Sequence, residues 1–456
     1  MSKMDNIVSL CKRRGFIFPG SDVYGGMAGT WDFGPLGVML KKNIMDAWWR
    51  FWVEKRDDIY GVDAAILMNP ETWVASGHTA TFADPLVECK HCHGRFRADK
   101  LTSGLSESVT TEEFRSLGLK CPTCGESDWG PIRKFNMMFE THVGAVLPED
   151  AEGDEASKAL LKKSVAYLRP ETAQGIFTNY KNVVDTIYPD LPFGLAQQGK
   201  AFRNEISPRD FILRDRECSQ MEIEYFVRPD SWEPAFGKLL QENHQFLEQE
   251  MGLSSADLRD EEVAAEDRAH YSKRTVDLMF SYPNGEEELM GLAYRTDFDL
   301  QNIARASGRS MDYRDKNTNE VFVPHVIEPS IGVERLMLAV LSTAYVEEPV
   351  ADKPGETRTV LKLPESLAPY KYCVSPLLKN KPELVKKAKE VYAHLKEKYT
   401  FVTWDDSGNI GKRYRKQDEI GTPHCVVIDF DTLEDDTVTV RDRDTAAQVR
   451  IKTSEL

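Results

Sequence analysis

The sequence lacks long apolar runs and any N-terminal pattern of a secretory signal. No stretch of its 456 residues approaches the ~20 apolar residues of a membrane span. The N-terminus shows no basic segment followed by an apolar one. The chain also contains no internal repeat and no low-complexity tract. We therefore expect a cytoplasmic protein with no membrane partner, and its length predicts two to four domains.

The chain also lacks an excess of positive charge. Its 58 Lys and Arg against 74 Asp and Glu give a formal net charge of -16, which argues against a general nucleic-acid coat. Charges are screened within ~8 Å at physiological salt, so a local basic patch can still bind RNA. Such binding should show a modest dependence on salt concentration.

Cysteine is scarce except in two close pairs. Of eight cysteines, four form Cys89-x-x-Cys92 and Cys121-x-x-Cys124, and the rest are scattered. This is the spacing of a metal site rather than of a disulfide framework. We predict one tetrahedral, structural Zn²⁺ in a zinc ribbon over residues 86–130, because four protein ligands leave no open position. His91 and His93 are alternative ligands, less suited than the four thiolates.

A cluster of arginines and carboxylates is the most informative feature present. Arg203 and Glu205 precede a loop, and the segment after that loop carries Gln220, Glu222 and Glu224 at alternate positions. If both segments are strands, these side chains share one face of a sheet. Arginine binds phosphate through a planar fork, and carboxylates bind an ammonium group or Mg²⁺. The cluster suits a site that activates an amino acid with ATP; the alternative is a surface hairpin with salt-bridged charges.

This arrangement resembles motif 2 of the class II aminoacyl-tRNA synthetases. Several further segments resemble the dimeric, single-chain type of glycyl-tRNA synthetase, in the same order along the chain. They are GFIFPGSDVYGG (15–26), TWDFGPLG (30–37), RPETAQG (169–175), EPS (328–330) and GVER (332–335). The resemblance extends from about residue 5 to about residue 450.

The resemblance implies an α+β fold, with a class II antiparallel sheet flanked by helices, a zinc-ribbon insertion and a C-terminal α/β anticodon-binding domain. A helix over 35–56 and a strand over 62–68 resemble motif 1, which builds the dimer interface in this class. A linker is expected over 349–364. The predicted domains are catalytic residues 1–85, the zinc ribbon 86–130, catalytic residues 131–348 with a helical insertion near 232–280, and the anticodon-binding domain 365–456.

The resemblance also implies a set of site residues. The predicted ATP-binding residues are Arg203, Asn204, Glu205, Leu213, Arg214, Glu288, Leu289, Glu328, Gly332 and Arg335, with Glu328 as a ligand of the Mg²⁺ that accompanies ATP. The predicted glycine-binding residues are Glu171, Gln220, Glu222, Arg295, Ser330 and Arg97. Interpretations that involve no ligand stay open. Glu171 or Glu328 is then a carboxylate at a helix start, and Arg335, Arg97 or the acidic run at Glu288 consists of solvated side chains.

The implied reaction is that of a glycine-tRNA ligase acting as a homodimer. Glycine and ATP give glycyl-adenylate, and glycine is then transferred to the 3′ end of its tRNA. Basic residues with Tyr414 between them are the predicted tRNA contacts in the C-terminal domain: Lys412, Arg413, Arg415 and Lys416. The alternative for this run is a solvated face.

Two rival functions differ in what the sequence should contain. A prolyl or threonyl enzyme would require side-chain-binding features that are not found here. A non-catalytic nucleic-acid-binding relative would be expected to lose Arg203, Glu205 or Arg335, and all three are present. One departure from the class is Cys218, at a position where a phenylalanine usually lies against adenine.

Overall fold

The fold is taken from a computed structural model, in which each of three parts of the chain has its own buried apolar cluster. The largest part contains a seven-stranded sheet and includes the segments that resemble class II motifs. A small unit around the cysteine pairs is inserted into it, and a C-terminal α/β unit follows. The structure describes residues 2–102, 105, 109–145, 148–269, 271–350 and 355–456.

The central sheet is antiparallel except at one edge. Its strands lie in the order Leu258–Glu262, Arg274–Tyr282, Gly285–Thr296, His325–Gly332, Glu217–Val227, Phe193–Phe202 and Ile59–Gly61. Only the last of these is parallel to its neighbour. The predicted class II antiparallel sheet is therefore confirmed.

The hairpin formed by Phe193–Phe202 and Glu217–Val227 positions the polar cluster. Met221, Ile223 and Tyr225 point into the main hydrophobic core, because successive side chains of a strand alternate between faces. Gln220, Glu222 and Glu224 consequently occupy the opposite face, as predicted. The register places Glu222 beside Ser330 of the next strand, so two distant sequence motifs meet on one surface.

The predicted long helix is present as Pro35–Trp49, continued by a π-helical turn over Arg50–Glu54. Proline is tolerated in the first turn because its missing N–H has no partner there. Trp48 and Trp52 are fully buried within the chain. The predicted strand over 62–68 is wrong in position: the strand is Ile59–Gly61, where it pairs with the sheet edge.

Other helices cover the two faces of the sheet. They are Lys3–Arg14, Ala173–Ile187, Trp232–Gln245, Phe298–Ser307 and Val333–Ala344. The prediction of a helical segment near 232–280 is correct only for its first part. Residues 258–262 and 274–282 are strands of the central sheet. In Leu258–Glu262 the last four residues are charged and exposed, which hid that strand in the sequence.

The inserted unit extends slightly beyond the predicted bounds 86–130. Its sheet consists of Ala83–Glu88, Arg95–Arg97 and Arg133–Asn136, with a short helix at Thr111–Ser116. The first strand, Ala83–Glu88, is central in this sheet and pairs with the last strand, Arg133–Asn136, so the chain enters and leaves the unit side by side. The chain returns to the core through the strands Phe139–His142 and Val165–Leu168, with the helix Glu155–Ser164 between them.

The C-terminal unit is a five-stranded mixed sheet with three helices. The strand order is Val402–Trp404, Tyr372–Pro376, His424–Ile428, Thr437–Asp442 and Gln448–Lys452, and the helices are Pro382–Lys398, Ile410–Ile420 and Phe430–Asp435. The predicted linker over 349–364 contains a strand instead, because Thr357–Leu361 pairs with Tyr345–Pro349. Residues 351–354 of that linker lie outside the described residues. Within the described parts of the chain, no helix has the length and apolar character needed to cross a bilayer.

Candidate active site

Two adjoining pockets open on the polar face of the central sheet. The first lies between the loop that follows Arg203 and the segments that carry Glu288 and Arg335. Eight of the ten predicted ATP-binding residues line it: Arg203, Glu205, Leu213, Arg214, Glu288, Leu289, Gly332 and Arg335. The other two do not. Asn204 lies outside its lining, and Glu328 lines the second pocket.

Arg203 is fixed at the end of its strand by contacts on both sides. Its Nε donates to the carbonyl oxygen of Pro170 at 3.1 Å, and its guanidinium lies 5.6 Å from the ring centre of Phe82. Glu205 follows. Its Oε2 is buried 3.9 Å from Arg214 Nη1, and no residue that the structure describes forms a hydrogen bond with it. The pocket thus presents a fixed cation next to a carboxylate oxygen that lacks a donor.

Arg335 closes the other side of the first pocket. Its Nη1 donates to the carbonyl oxygen of Glu288 at 3.0 Å and to the Glu288 carboxylate at 3.1 Å, while Nε donates to the carbonyl of Leu213 at 3.3 Å. The positive charge of Arg335 lowers the pKa of Glu288 despite its burial. These hydrogen bonds fix the guanidinium of Arg335 in the lining of the pocket, and its flat group is of a kind that can stack on a base.

Two acidic residues of the first pocket, Glu334 and Asp215, were not predicted from the sequence. Glu334 accepts the backbone N–H of Ser219 at 2.7 Å and the ammonium of Lys41 at 2.5 Å. Asp215 lies in the same lining, and burial together with the charge of Glu334 raises its pKa to about 8. Glu334 was visible within the GVER segment, but its role required knowing that the helix Pro35–Trp49 brings Lys41 to it.

The second pocket is strongly acidic. Glu171, Gln220, Glu222, Glu328 and Ser330 line it together with Arg203. Thr172 orders the floor: its N–H donates to Gln220 Oε1 at 3.1 Å and its hydroxyl to Glu222 Oε2 at 2.5 Å. Of the six predicted glycine-binding residues, the structure therefore brings four together here.

Arg295 and Arg97 are the two predicted glycine contacts that do not line this pocket. Arg295 is 1% exposed, and it donates to both oxygens of Asp299 and to Glu328 Oε2 at 2.5 Å. Arg295 therefore lies behind Glu328 and outside the lining of the pocket. The two carboxylates compensate its charge, as the burial of a guanidinium requires. Arg97 forms ion pairs with Asp84 at 3.0 Å and Asp99 at 2.7 Å inside the inserted unit.

The carboxyl groups of the second pocket titrate in opposite directions. Burial raises the pKa of Glu222 to about 8, and the neighbouring charges of Glu328 and Glu171 add to this effect. Burial also acts on Glu171, but its interactions with His78, Arg295 and Arg203 outweigh the burial and lower its pKa to about 2. Glu224, which is completely buried below them, has its pKa raised by burial and by Glu328. The pocket is therefore crowded with carboxylates that a bound cation would stabilise.

Comparisons with known proteins bear on the family to which the chain belongs. Residues 161–344 match the family model described as "tRNA synthetase class II core domain (G, H, P, S and T)", and residues 371–456 match "Anticodon binding domain". A glycine–tRNA ligase of Clostridium tetani is 47% identical over 99% of this chain and 96% of its own length. Those of Caldanaerobacter subterraneus subsp. tengcongensis (48%; 98% and 95%) and Ureaplasma urealyticum serovar 10 (45%; 99% and 94%) are similar to the same extent.

The chain belongs to the glycine–tRNA ligase family. This membership confirms that the sequence motifs are those of a class II synthetase. It disfavours a prolyl or threonyl enzyme and a non-catalytic relative.

The cysteine pairs of this family member converge on one point. The Sγ atoms of Cys89 and Cys124 are 3.6 Å apart, as are those of Cys92 and Cys121, and all four lie within 4.8 Å of one another. Four thiolates at the usual Zn–S distance of ~2.3 Å in a tetrahedron would be separated by about 3.8 Å. The four side chains therefore fit a tetrahedral metal ion. Neither His91 nor His93 belongs to this cluster.

The predicted tRNA-binding cluster of the C-terminal unit does not form one free surface. Arg413 is 3% exposed, and its guanidinium donates to the carbonyl oxygens of Pro376, Asp406, Ser407 and Gly408. Its inclusion among the RNA contacts was wrong, because it holds a loop inside the unit. Arg415 and Lys416 lie on the surface in ion pairs with Glu356 and Asp405. Lys412 is exposed.

Proposed function

We propose that the two pockets together bind ATP and glycine and form glycyl-adenylate, from which glycine is transferred to the 3′ end of its tRNA. The observation that carries this proposal is a common wall. Arg203, Gln220, Glu288 and Ser330 line both pockets, so a ligand in one would lie next to a ligand in the other. A pocket lined by three arginines beside an acidic pocket suits a triphosphate with its Mg²⁺ next to an ammonium group.

Arg203 is the residue at the junction, and we assign it to the reacting groups. Attack of the glycine carboxylate on the α-phosphorus of ATP brings two anions together, so the barrier is mainly electrostatic and positional. A guanidinium fixed by Pro170 and Phe82 would neutralise both groups without reorganising. Arg214 lies across the first pocket and would meet the terminal phosphates. No nucleophilic side chain is required, because the substrates supply both nucleophiles.

The acidic pocket would recognise glycine through its ammonium group. Glu171 and Glu222 supply carboxylate oxygens and Ser330 a hydroxyl, which matches the three N–H donors of an ammonium. Glu328 lies in the same pocket, and we now place it at this end rather than at the phosphates. Arg295 would act on it from behind, holding the carboxylate in position.

The nucleotide would occupy the first pocket with its base near Arg335 and Leu213. Cys218 also lines this pocket. A thiol packs against an adenine ring but stacks less well than a phenylalanine. Mg²⁺ enters with ATP, and Glu205 and Glu288 offer the hard carboxylate oxygens that it prefers. The partnerless Oε2 of Glu205 fits such a role, because a buried carboxylate oxygen without a donor is otherwise costly.

The remaining units would serve the tRNA and the assembly. We assign residues 1–82 and 137–348 to the catalytic domain, 83–136 to a zinc ribbon held by one structural Zn²⁺, and 365–456 to anticodon binding, with Lys412, Arg415 and Lys416 as RNA contacts. We also propose a cytoplasmic homodimer. Exposed apolar side chains at Val23, Tyr24, Met27 and Val38 offer surface for a second copy. Sedimentation of the purified protein would give its mass directly.

The ATP–pyrophosphate exchange reaction tests the proposed site. The protein should exchange pyrophosphate with glycine, and Arg203→Ala should lower the exchange rate about 10²- to 10³-fold, as expected for a group that stabilises developing charge. Arg209→Ala is the matched control, because Arg209 lies exposed on the same loop and lines neither pocket. Equal activity of Arg203→Ala and Arg209→Ala would overturn the assignment of Arg203.

A further inference from the structure

A buried chain of three side chains leads into the acidic pocket from its back. Ser76 Oγ lies 2.8 Å from Nδ1 of His78, and Nε2 of His78 lies 3.3 Å from Oε1 of Glu171. All three residues are buried, at 5%, 4% and 7% exposure. Neither Ser76 nor His78 lines either of the two pockets. Glu171 is the member of this group of three that lines the acidic pocket.

The backbone conformation of a glycine allows this arrangement. Gly77 separates Ser76 from His78 and has a φ of 87°, a conformation that other residues rarely adopt. The imidazole then packs against Trp73 at 5.3 Å and Phe82 at 5.4 Å between ring centres. The ring is therefore held on two sides by aromatic groups and on a third by the serine hydroxyl.

We infer that His78 is a positioning residue for glycine recognition, which holds the carboxylate of Glu171 in the orientation that accepts the substrate ammonium. Oε1 of Glu171 is buried, and no hydrogen bond to it is formed within the described residues. His78 Nε2 is close enough for an ion pair, although it falls short of hydrogen-bond geometry. A small rotation of the carboxylate when the ammonium binds would align them, as hydrogen bonds at active sites often tighten on ligation.

The position of Phe82 extends this role to the junction of the two pockets. One contact of the Phe82 ring is His78, and the other is the guanidinium of Arg203. Asn136 fixes the same segment by donating to the carbonyl oxygens of His78 and Thr79 at 3.3 and 3.0 Å. The support behind Glu171 and the support behind Arg203 are therefore one packed unit, anchored on the base of the inserted unit.

This inference rests on the proposed role of Glu171 in binding the ammonium, and its test compares two substitutions of one residue. His78→Gln retains an N–H donor of similar reach, whereas His78→Leu retains only the bulk. In ATP–pyrophosphate exchange, His78→Leu should raise the KM for glycine about tenfold or more, the usual effect of losing a hydrogen bond to a charged group. The KM for ATP should change less than about twofold, and His78→Gln should restore most of the loss.

A double-mutant cycle with Glu171→Gln separates the inference from the proposed function. If the KM for glycine is unchanged in Glu171→Gln, the assigned role of Glu171 fails. If Glu171→Gln raises it, and His78→Leu then adds little in the double variant, His78 acts through Glu171. Full additivity of the two changes overturns the inference, as does an equal rise of KM for glycine and ATP in His78→Leu.

A milder variant guards against loss of folding. Ser76→Ala removes the hydroxyl at the far end of the chain and leaves the imidazole packing untouched. It should raise the KM for glycine severalfold while the thermal unfolding midpoint stays close to that of the wild type. An unchanged KM for glycine in both Ser76→Ala and a folded His78→Leu overturns the inference.

Discussion

The carboxyl group of Glu222 should make glycine activation depend on pH below about pH 8. Its pKa in the free protein is about 8, raised first by burial and then by Glu328 and Glu171. Below that value Glu222 is mostly protonated, and a neutral carboxyl group binds an ammonium less well than a carboxylate does. Raising the pH therefore converts the pocket from a weak to a strong glycine-binding form.

The size of the effect follows from the titration of one group. With a pKa of about 8, about one molecule in ten carries an ionised Glu222 at pH 7, and about one in a hundred does at pH 6. The kcat/KM for glycine should thus rise about tenfold from pH 6 to pH 7 and more gently to a plateau above pH 8. At pH 7, binding of glycine should release nearly one proton, because the bound ammonium favours the carboxylate.

Glu222→Gln and Glu217→Gln provide the assay and its control. Exchange rates are measured from pH 6 to pH 8.5 for the wild type and both variants, with ATP saturating. Glu222→Gln should lose the rise below pH 8 and have a lower kcat/KM for glycine at pH 8. Glu217→Gln, an exposed position on the same strand, should keep the wild-type profile. A wild-type profile that is flat between pH 6 and pH 8, or one that persists in Glu222→Gln, would refute the reasoning.

Three further predictions concern the rest of the molecule. Cys121→Ser should reduce bound zinc, measured by mass spectrometry, from one ion per chain to a substoichiometric amount; an unchanged ratio would remove it from the metal site. Gly37→Ala should lower the thermal unfolding midpoint, because its methyl group would lie 1.8 Å from the carbonyl oxygen of Phe16, a clash costing about 1–3 kcal/mol or more. Arg413→Ala should destabilise the C-terminal unit, whereas Lys412→Ala should leave stability unchanged and raise the KM for tRNA in low salt; the reverse pattern would contradict the burial of Arg413.

Local patterns in the sequence were sufficient for the parts of the site that lie on one element. The alternation of Gln220, Glu222 and Glu224 predicts their common face because the two-residue period of a strand is a property of the backbone. The cysteine spacing predicts a convergent cluster for a similar reason. The meeting of Glu171 with Glu222 and Ser330 could not be derived in this way, and only the resemblance to a known family anticipated it.

The wrong predictions for individual arginines have a common physical origin. A charged residue is usually exposed, and the sequence does not show where one is buried. Arg295 and Arg413 were expected at ligands, yet both are buried and donate hydrogen bonds to oxygen atoms of their own units. The charged strand Leu258–Glu262 lies at a sheet edge, where one exposed face removes the apolar pattern. His78 gave no signal at all, since its partner Glu171 is distant along the chain.

A crystal structure with a non-hydrolysable glycyl-adenylate analogue would show whether the two pockets bind the reacting groups as proposed. We expect the glycyl nitrogen within hydrogen-bond distance of Glu171, Glu222 and Ser330, the phosphate mimic at Arg203, and the base beside Arg335. An analogue bound with its nitrogen outside the acidic pocket, or with its phosphate mimic away from Arg203, would contradict it.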